Sequence, residues 1–529
     1  MAIIPRNETR DENPVQHRLL LNSAVGRCNV REGSKPVNFR LGGGAVGLTQ
    51  EIANFVAPTR FRDISEDVVW LARGFILDGL GVALAGSTDE CSRIVQAQIR
   101  QMGGKAEASI LGTSLFAPAP KAALANGVAG HAMDYDDTQL STSKEAVYGL
   151  LTHPTTPVLA ALLAVGEKAK ISGEEFVLAY IVGVEVECRI ADAINPRHYQ
   201  SGFHSTATMG GLGAAMAVGK VLRFKEEQLL CTLGIAASMA SGLRENFGTM
   251  TKPLHAGRAA ENGVSSAWLA RDGFTAATNI LEARRGFFNA MAGGYDESKI
   301  SGRLGAPFFM QEPGISIKPY PSGSLSHPAQ DLILDLVRQH DLTAADIEHI
   351  EVGTNSNVPN ALIYPMPKTA LEGKFSIPFC MAIAVLERKA GIAQFQERRV
   401  RDKKVIELMK RVTLYVDDEL EQLGYDQVRS RIRVKLKNGR VIEGRYDVAR
   451  GHPEKPLSWA ELGDKFRDCA DLVLPRQNAE EAIQLVARIE QLKSLGPLFK
   501  ALAVGRGKST YKTNSRKSGR KKWNPTRKS

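Results

Sequence analysis

A chain of 529 residues is longer than one hydrophobic core organises, so two or more domains are expected. Its 43% hydrophobic and 24% charged residues are those of a globular protein, which excludes a disordered or fibrous chain. The net charge of +11 suggests a nucleic-acid partner only until it is located: ten cations and no Asp or Glu fall in residues 506–529, leaving +1 for residues 1–505. The body is near neutral, so no specific nucleic acid is expected. The tail reads as a disordered basic segment that attracts polyanions weakly.

Residues 1–46 are polar and end in Leu41-Gly-Gly-Gly, an extension without a core of its own. From Leu48 the texture is helical. Asp63 or Ser65 is placed to cap a helix in which Val68, Leu71, Phe75 and Leu80 recur near helical spacing. Further apolar helices are predicted over Pro157–Lys168, Gly173–Ile194, Thr208–Leu222 and Glu226–Leu243, and their Ala and Gly content predicts close helix contacts. Near Pro307 the pattern changes. Ile347–Val352 and Val412–Val416 read as strands. Arg431–Lys437 alternates strictly, and Asn438-Gly439 predicts a two-residue type I′ turn into a strand over Arg440–Tyr446. Helices are predicted near Ser326–Gln339 and Phe379–Lys389, and again from Ser458 to about Ala501.

Cys28, Cys91, Cys188, Cys231, Cys380 and Cys469 contain no Cys-x-x-Cys. That spacing argues against a zinc site, a disulfide framework or a closely spaced iron–sulfur cluster, and suits a reducing compartment. No run of 18 consecutive apolar residues occurs, so no membrane span is expected. The N-terminus lacks a secretory apolar region, and Glu8, Asp11 and Glu12 interrupt its arginines, so a cytoplasmic location is expected.

The chemistry concentrates between Asn126 and His153. Asp134, Asp136 and Asp137 crowd into four residues, flanked by His131 and His153 and followed by Thr138. Carboxylates and imidazoles at such spacing perturb one another's proton affinities, which is how a site obtains an acid and a base near neutral pH. A helix cap with a solvated turn is the plainer alternative. The near-uncharged run Ala122–Ala132 tips the balance, because it sets the acidic cluster against a core.

HAMDYDDT at His131 and HPTTPVLAALLAVGE at His153 resemble the MmgE/PrpD family, as do GFHSTATMGGLGAA at Gly202, TKPLHAGRAAENG at Thr251 and KPYPSGSLSHPA at Lys318. That family includes 2-methylcitrate dehydratases, cis-aconitate decarboxylases and an iminodisuccinate epimerase. The resemblance implies a mainly α fold: a large all-helical domain from both ends of the chain (residues 47–305 and 446–505), an α+β lid inserted at residues 306–445, and an active site in the cleft between them. It further implies a homodimer and a small di- or tricarboxylate substrate; with no clustered cysteine ligands, no metal or cofactor is expected. It places Asp134, Thr138, His153, His204 and Lys252 at catalytic positions. His255, Arg258, Lys318, Tyr320 and His327 are the expected substrate-binding residues. Lys252 would clamp a carboxylate, His153 or His204 would act as base, and Asp134 would orient an imidazole. His204 also stands where a helix cap would.

Two positions depart from the decarboxylase pattern. Gly323 stands where those enzymes carry a histidine, and Phe379 where they carry a tyrosine. Losing an imidazole and a phenol removes two proton donors, which disfavours decarboxylation unless His327 or Tyr320 substitutes. The expected activity is therefore metal-independent dehydration of a 2-methylcitrate-like hydroxy-polycarboxylate by proton abstraction beside a carboxylate. Epimerisation or decarboxylation is the alternative within the family, and a non-catalytic binding protein the alternative outside it.

Overall fold

The computed structural model describes residues 47–139 and 152–504. The predicted polar extension, the basic tail and part of the stretch before His153 fall outside those residues. The described chain is mainly α. It opens with α1 (Leu48–Val56) and α2 (Glu66–Gly86), where Ser65 is the cap and its hydroxyl accepts from the Val68 N–H. Next come α3 (Ala119–Ala132), α4 (Thr155–Ala169), α5 (Gly173–Ile194), α6 (Ser205–Val221), α7 (Glu226–Met239) and α8 (Thr251–Arg271). The Ser172 and Glu175 side chains form a reciprocal capping box that starts α5. The helix α7 stops before the predicted Leu243, because Ala240 turns extended and Leu243 pairs in an isolated bridge with Phe203. A short ribbon of Ala108–Ser109 with Phe116–Ala117 was not expected, two residues being too few to show a strand period.

Small residues let these helices touch backbone to backbone. Where α3 crosses α8, a Cβ on Gly127 would lie 2.7 Å from the Gly257 Cα, and one on Gly257 would lie 2.5 Å from the Leu124 carbonyl. Helix α2, although it has no unbroken run of 18 apolar residues, has the length and apolarity of a membrane span, yet 83% of that stretch is buried inside the protein. Cys91, Cys188, Cys231, Cys380 and Cys469 are unbridged.

A mixed four-stranded sheet follows, with α9 (His327–Gln339) and α10 (Ile377–Glu387) against it. Its strands are β1 (Ile347–Thr354), β2 (Val412–Val416), β3 (Ser430–Leu436) and β4 (Val441–Tyr446), in spatial order β2-β1-β3-β4. The pair β1/β2 is parallel, the other pairs antiparallel. Ile432, Val434 and Leu436 point into the core, while Arg433 and Lys435 reach across to Glu351 and Glu348. The hairpin differs from the predicted type I′ turn. The Gly439 N–H donates to the Leu436 carbonyl, Leu436 N–H donates to Arg440, and of the turn residues Gly439 alone has positive φ, at 82°. That is a three-residue loop ending in a glycine bulge, which keeps Asn438 out of the left-handed region.

The apolar side chains sort into two cores. The larger runs from Leu48 to Ile317 and takes up Leu457 to Leu502 from α11 (Trp459–Ala470), α12 (Arg476–Val486) and α13 (Gly496–Leu502). The smaller is built from Tyr320 to Ile442. Val82, Ala85, Tyr135, Ile392 and Cys469 form a third, small cluster drawn from both.

Candidate active site

Helix α3 ends at Ala132, and the chain then turns sharply. Asp134 sits at φ 52°, a left-handed conformation that aspartate tolerates better than most residues. The turn is pinned at its far end, where Thr138 and Ser316 exchange two backbone hydrogen bonds of 2.8 Å each. Three consecutive-looking aspartates thereby face three different partners. Asp134 lies between two ammonium groups, 2.7 Å from Lys252 Nζ and 3.2 Å from Lys318 Nζ. Asp136 accepts from His131 Nδ1 at 2.7 Å and from the Thr156 hydroxyl at 2.9 Å, with His153 Nδ1 at 3.5 Å. Asp137 accepts from the Thr155 hydroxyl at 2.5 Å.

The expected pairing of Asp134 with an imidazole is therefore corrected: Asp136 holds the imidazole, and Asp134 neutralises lysines. Burial opposes ionisation of Asp134, but Lys252 and Lys318 overcome it and hold the carboxyl well below its ordinary value. Burial likewise opposes ionisation of Asp136, yet His131, His153 and Lys318 keep it below the ordinary value. Asp137 has no such help, and burial pushes it up to about 8.

Four imidazoles lie side by side. Ring centroids are 4.6 Å apart for His131 and His153, 5.6 Å for His131 and His204, and 5.3 Å for His204 and His255. Burial drives all four toward the neutral form, His255 down to about 4. Their tautomers follow from their partners. His153 Nδ1 lies 2.7 Å from the Asp137 carbonyl, which only accepts, so that nitrogen bears the hydrogen and Nε2 keeps a lone pair. His131 Nδ1 donates to Asp136, and its buried Nε2 has no hydrogen-bond partner among the described residues. The same holds for His204 Nε2, while His204 Nδ1 faces His255 Nδ1 at 3.1 Å, so one of the two donates. His204 is the cap residue of α6, but its side chain makes no capping bond. Carboxylate-held neutral imidazoles with a free Nε2 are general bases in waiting.

A cleft of about 790 Å³ opens onto this cluster, with His131, Asp134, Lys252, Lys374, Pro321 and Phe375 in its walls. Helices α3 and α8, from the larger core, supply His131 and Lys252, while Lys374 and Phe375 come from the segment of the smaller core that leads into α10. Thr138, Lys318 and His327 line a small adjoining recess. The His327 Nε2–H donates to the Ser322 carbonyl, and burial lowers its pKa to about 3. Tyr320 lies elsewhere. Its hydroxyl donates to Asp331 and accepts from Arg450, in a separate cavity of about 590 Å³. Arg258 also lies outside the cluster, half exposed on α8 and paired with Glu261, which binds Lys121 as well.

His131, Asp136 and His153 bring three ligand-capable atoms within 4.8 Å of one another. Both imidazole Nδ1 atoms are already engaged at 2.7 Å, and Lys318 adds positive charge beside them. A proton network fits this set better than a dication.

Among the functional residues, Asp136 stood out in the sequence only as one of the crowded aspartates, with no role of its own, and Lys374 did not stand out at all. A further buried lysine supports the site from behind. Lys465, on α11, pairs with Asp78 at 2.5 Å and donates to the carbonyls of Tyr135 (2.9 Å) and Lys318 (2.8 Å), thereby tying the aspartate turn to the Lys318 loop.

Residues 50–299 match the MmgE/PrpD N-terminal domain and residues 320–491 the MmgE/PrpD C-terminal domain. The chain belongs to the MmgE/PrpD family. Among its relatives, the cis-aconitate decarboxylase of Homo sapiens is 28% identical over 85% of this chain and 93% of its own length. The cis-aconitate decarboxylase of Aspergillus terreus is also 28% identical, over 86% of this chain and 96% of its own. The family is enzymatic, and these relatives are lyases.

The two departures from the decarboxylase pattern are built into the packing. Gly323 donates to the Lys374 carbonyl, and a Cβ there would come within 2.9 Å of Leu362 and 3.4 Å of Phe375. Phe379 is fully buried in the smaller core against Phe395.

Proposed function

We propose that this enzyme is a metal-independent lyase that dehydrates a small hydroxy-polycarboxylate of the 2-methylcitrate type. The observation that carries the reading is the cleft wall itself, where a Lys252–Asp134 ion pair stands beside an Asp136-held neutral His131. Lys252 binds a substrate carboxylate. An imidazole Nε2, of His131, His153 or His204, takes the proton alpha to that carboxylate, and the ammonium groups stabilise the charge that develops on its oxygens. The C–O bond to the neighbouring hydroxyl then breaks, the double bond forms, and the hydroxyl departs as water with a proton returned from the imidazole cluster.

A second reading, decarboxylation of a cis-aconitate-like substrate, is favoured by the names of the relatives. It is disfavoured by Gly323 and Phe379, which stand where the decarboxylase pattern carries a histidine and a tyrosine able to protonate the carbanion. The test is incubation of the purified enzyme with 2-methylcitrate, citrate and cis-aconitate, followed by proton NMR and by trapping of carbon dioxide. Alkene from a hydroxy acid supports dehydration. Carbon dioxide from cis-aconitate replaces it with the second reading, and inertness toward the whole panel sinks the lyase assignment.

A further inference from the structure

We propose that Lys374 is a substrate-contacting, specificity-determining residue that reads a second carboxylate across the cleft from Lys252, so that the site selects substrates bearing at least two. This rests on the polycarboxylate reading above and deepens it.

Lys374 leads out of the short helix Ala370–Gly373 toward the Ser376 cap of α10, and its side chain turns inward to the cleft. The residue is buried, and its ammonium donates to the Met133 carbonyl, one residue before Asp134. The other buried cations of this region have carboxylate partners: Lys252 and Lys318 share Asp134, and Lys465 has Asp78. Among the described residues, Lys374 has no carboxylate within 4.0 Å. A buried ammonium without a counter-ion is costly, and such groups persist where an anion completes them. Around Lys374, Lys252 and Lys318 face Asp134 and Asp136 over neutral imidazoles, while Asp89, Glu90, Arg93, Glu397 and Arg398 line the outer part of the same cleft. Asp134 alone cannot serve three ammonium groups.

Placement also matters. Lys252 belongs to the larger core and Lys374 to the smaller one, so an anion holding both bridges the two walls. A monocarboxylate reaches only one of the two ammonium groups. A polycarboxylate satisfies both, and the differential is the selectivity.

The ammonium is also shifted by its surroundings. Burial lowers its pKa to about 8; Asp134 and Asp89 oppose the shift, and Lys318 and Lys252 add to it. Anion binding through Lys374 therefore fades as pH rises past about 8, where the ammonium becomes an amine.

The experiment uses propane-1,2,3-tricarboxylate, which has neither a hydroxyl to expel nor a double bond, so binding is read apart from turnover. Calorimetry on the full chain compares the parent with Lys374→Met, Lys374→Gln and Lys374→Arg. The two neutral variants should bind about 10- to 100-fold more weakly, the loss expected for one charged hydrogen bond. Lys374→Arg should recover most of the affinity. The parent's affinity should decline above pH 8, and the decline should vanish in Lys374→Met. In the parent alone, the tricarboxylate should protect Lys374 from reductive methylation, read by mass spectrometry, so the assignment stays testable if every variant folds poorly. Equal binding by parent and neutral variants, or unprotected Lys374 at saturating ligand, overturns the Lys374 assignment only. A parent that binds no tricarboxylate overturns the polycarboxylate reading with it.

Discussion

Asp134, Asp136 and Asp137 share a chain segment and little else. One is ionised between lysines, one is ionised beneath an imidazole, and one is held toward its neutral form by burial. Their substitutions should therefore separate. Asp136→Asn keeps the shape but leaves His131 Nδ1 facing an amide, so turnover should fall by about 10² to 10⁴ with KM little changed. Lys252→Ala should instead raise KM, because a carboxylate clamp acts in the ground state and the transition state alike. Steady-state kinetics on variants that keep the parent's melting temperature decide it, and an Asp136→Asn enzyme with parental kcat would remove the dyad from the mechanism. Asp137 makes a different prediction. Its folded pKa of about 8 lies above the ordinary carboxyl value, so the folded state keeps a proton that the unfolded chain releases, and stability falls as pH rises through that window. Asp137→Asn should flatten this fall. Melting curves of parent and variant between pH 4 and 8 that run parallel would show that Asp137 ionises freely in the fold. The sequence showed that these residues cluster. It could not show which carboxylate faces which base, because that depends on the left-handed turn at Asp134 and, for Asp134 itself, on lysines more than a hundred residues away.

Helix α3 delivers His131 to the cleft and α8 delivers Lys252 and His255, so the site depends on how closely these two helices cross. At that crossing no Cβ fits on Gly127 or Gly257 without backbone movement. Gly257→Ala should force the helices apart and cost about 1–3 kcal/mol, as overpacking does. It should also raise KM, because Lys252 moves with α8 while Asp134 stays with α3. Urea unfolding and kinetics on the variant test both, and an unchanged KM in a destabilised enzyme would show that the turn follows the helix. At this scale the sequence was informative. Ala- and Gly-rich helices predicted close contact, Ser65 and Ser458 marked helix starts, and the alternation of β3 gave its buried face. The misreadings were local. Asn438-Gly439 closes a longer loop than its dipeptide suggests, and α7 ends where Leu243 finds a partner in Phe203 far along the chain.

Across the molecule, the cleft walls belong to different cores, and Lys465 joins what they hold. Its ammonium is buried on α11, more than three hundred residues from the aspartate turn, yet it binds Asp78 on α2 and the carbonyls of Tyr135 and Lys318. It does two separable things: it neutralises a buried carboxylate, and it fixes the distance between two loops that carry Asp134, Asp136 and Lys318. Burial raises Asp78 to about 6 even with the lysine present, which measures how poorly that carboxylate is solvated. Lys465→Met leaves Asp78 bare and should cost about 3–5 kcal/mol. Adding Asp78→Leu removes the stranded charge and should restore most of that loss, since an apolar pair replaces a buried ion pair at little net cost. Turnover should not return with it, because the Tyr135 and Lys318 carbonyls still lack their common donor and the two loops are held less closely. Chemical unfolding and kinetics on the parent, the single variants and the double variant distinguish the two roles. A double variant that regains both stability and turnover would reduce Lys465 to a counter-ion for Asp78, and the alignment of the site would then have to come from the Thr138–Ser316 bridge and from the Lys318–Asp134 and Tyr135–Pro319 hydrogen bonds.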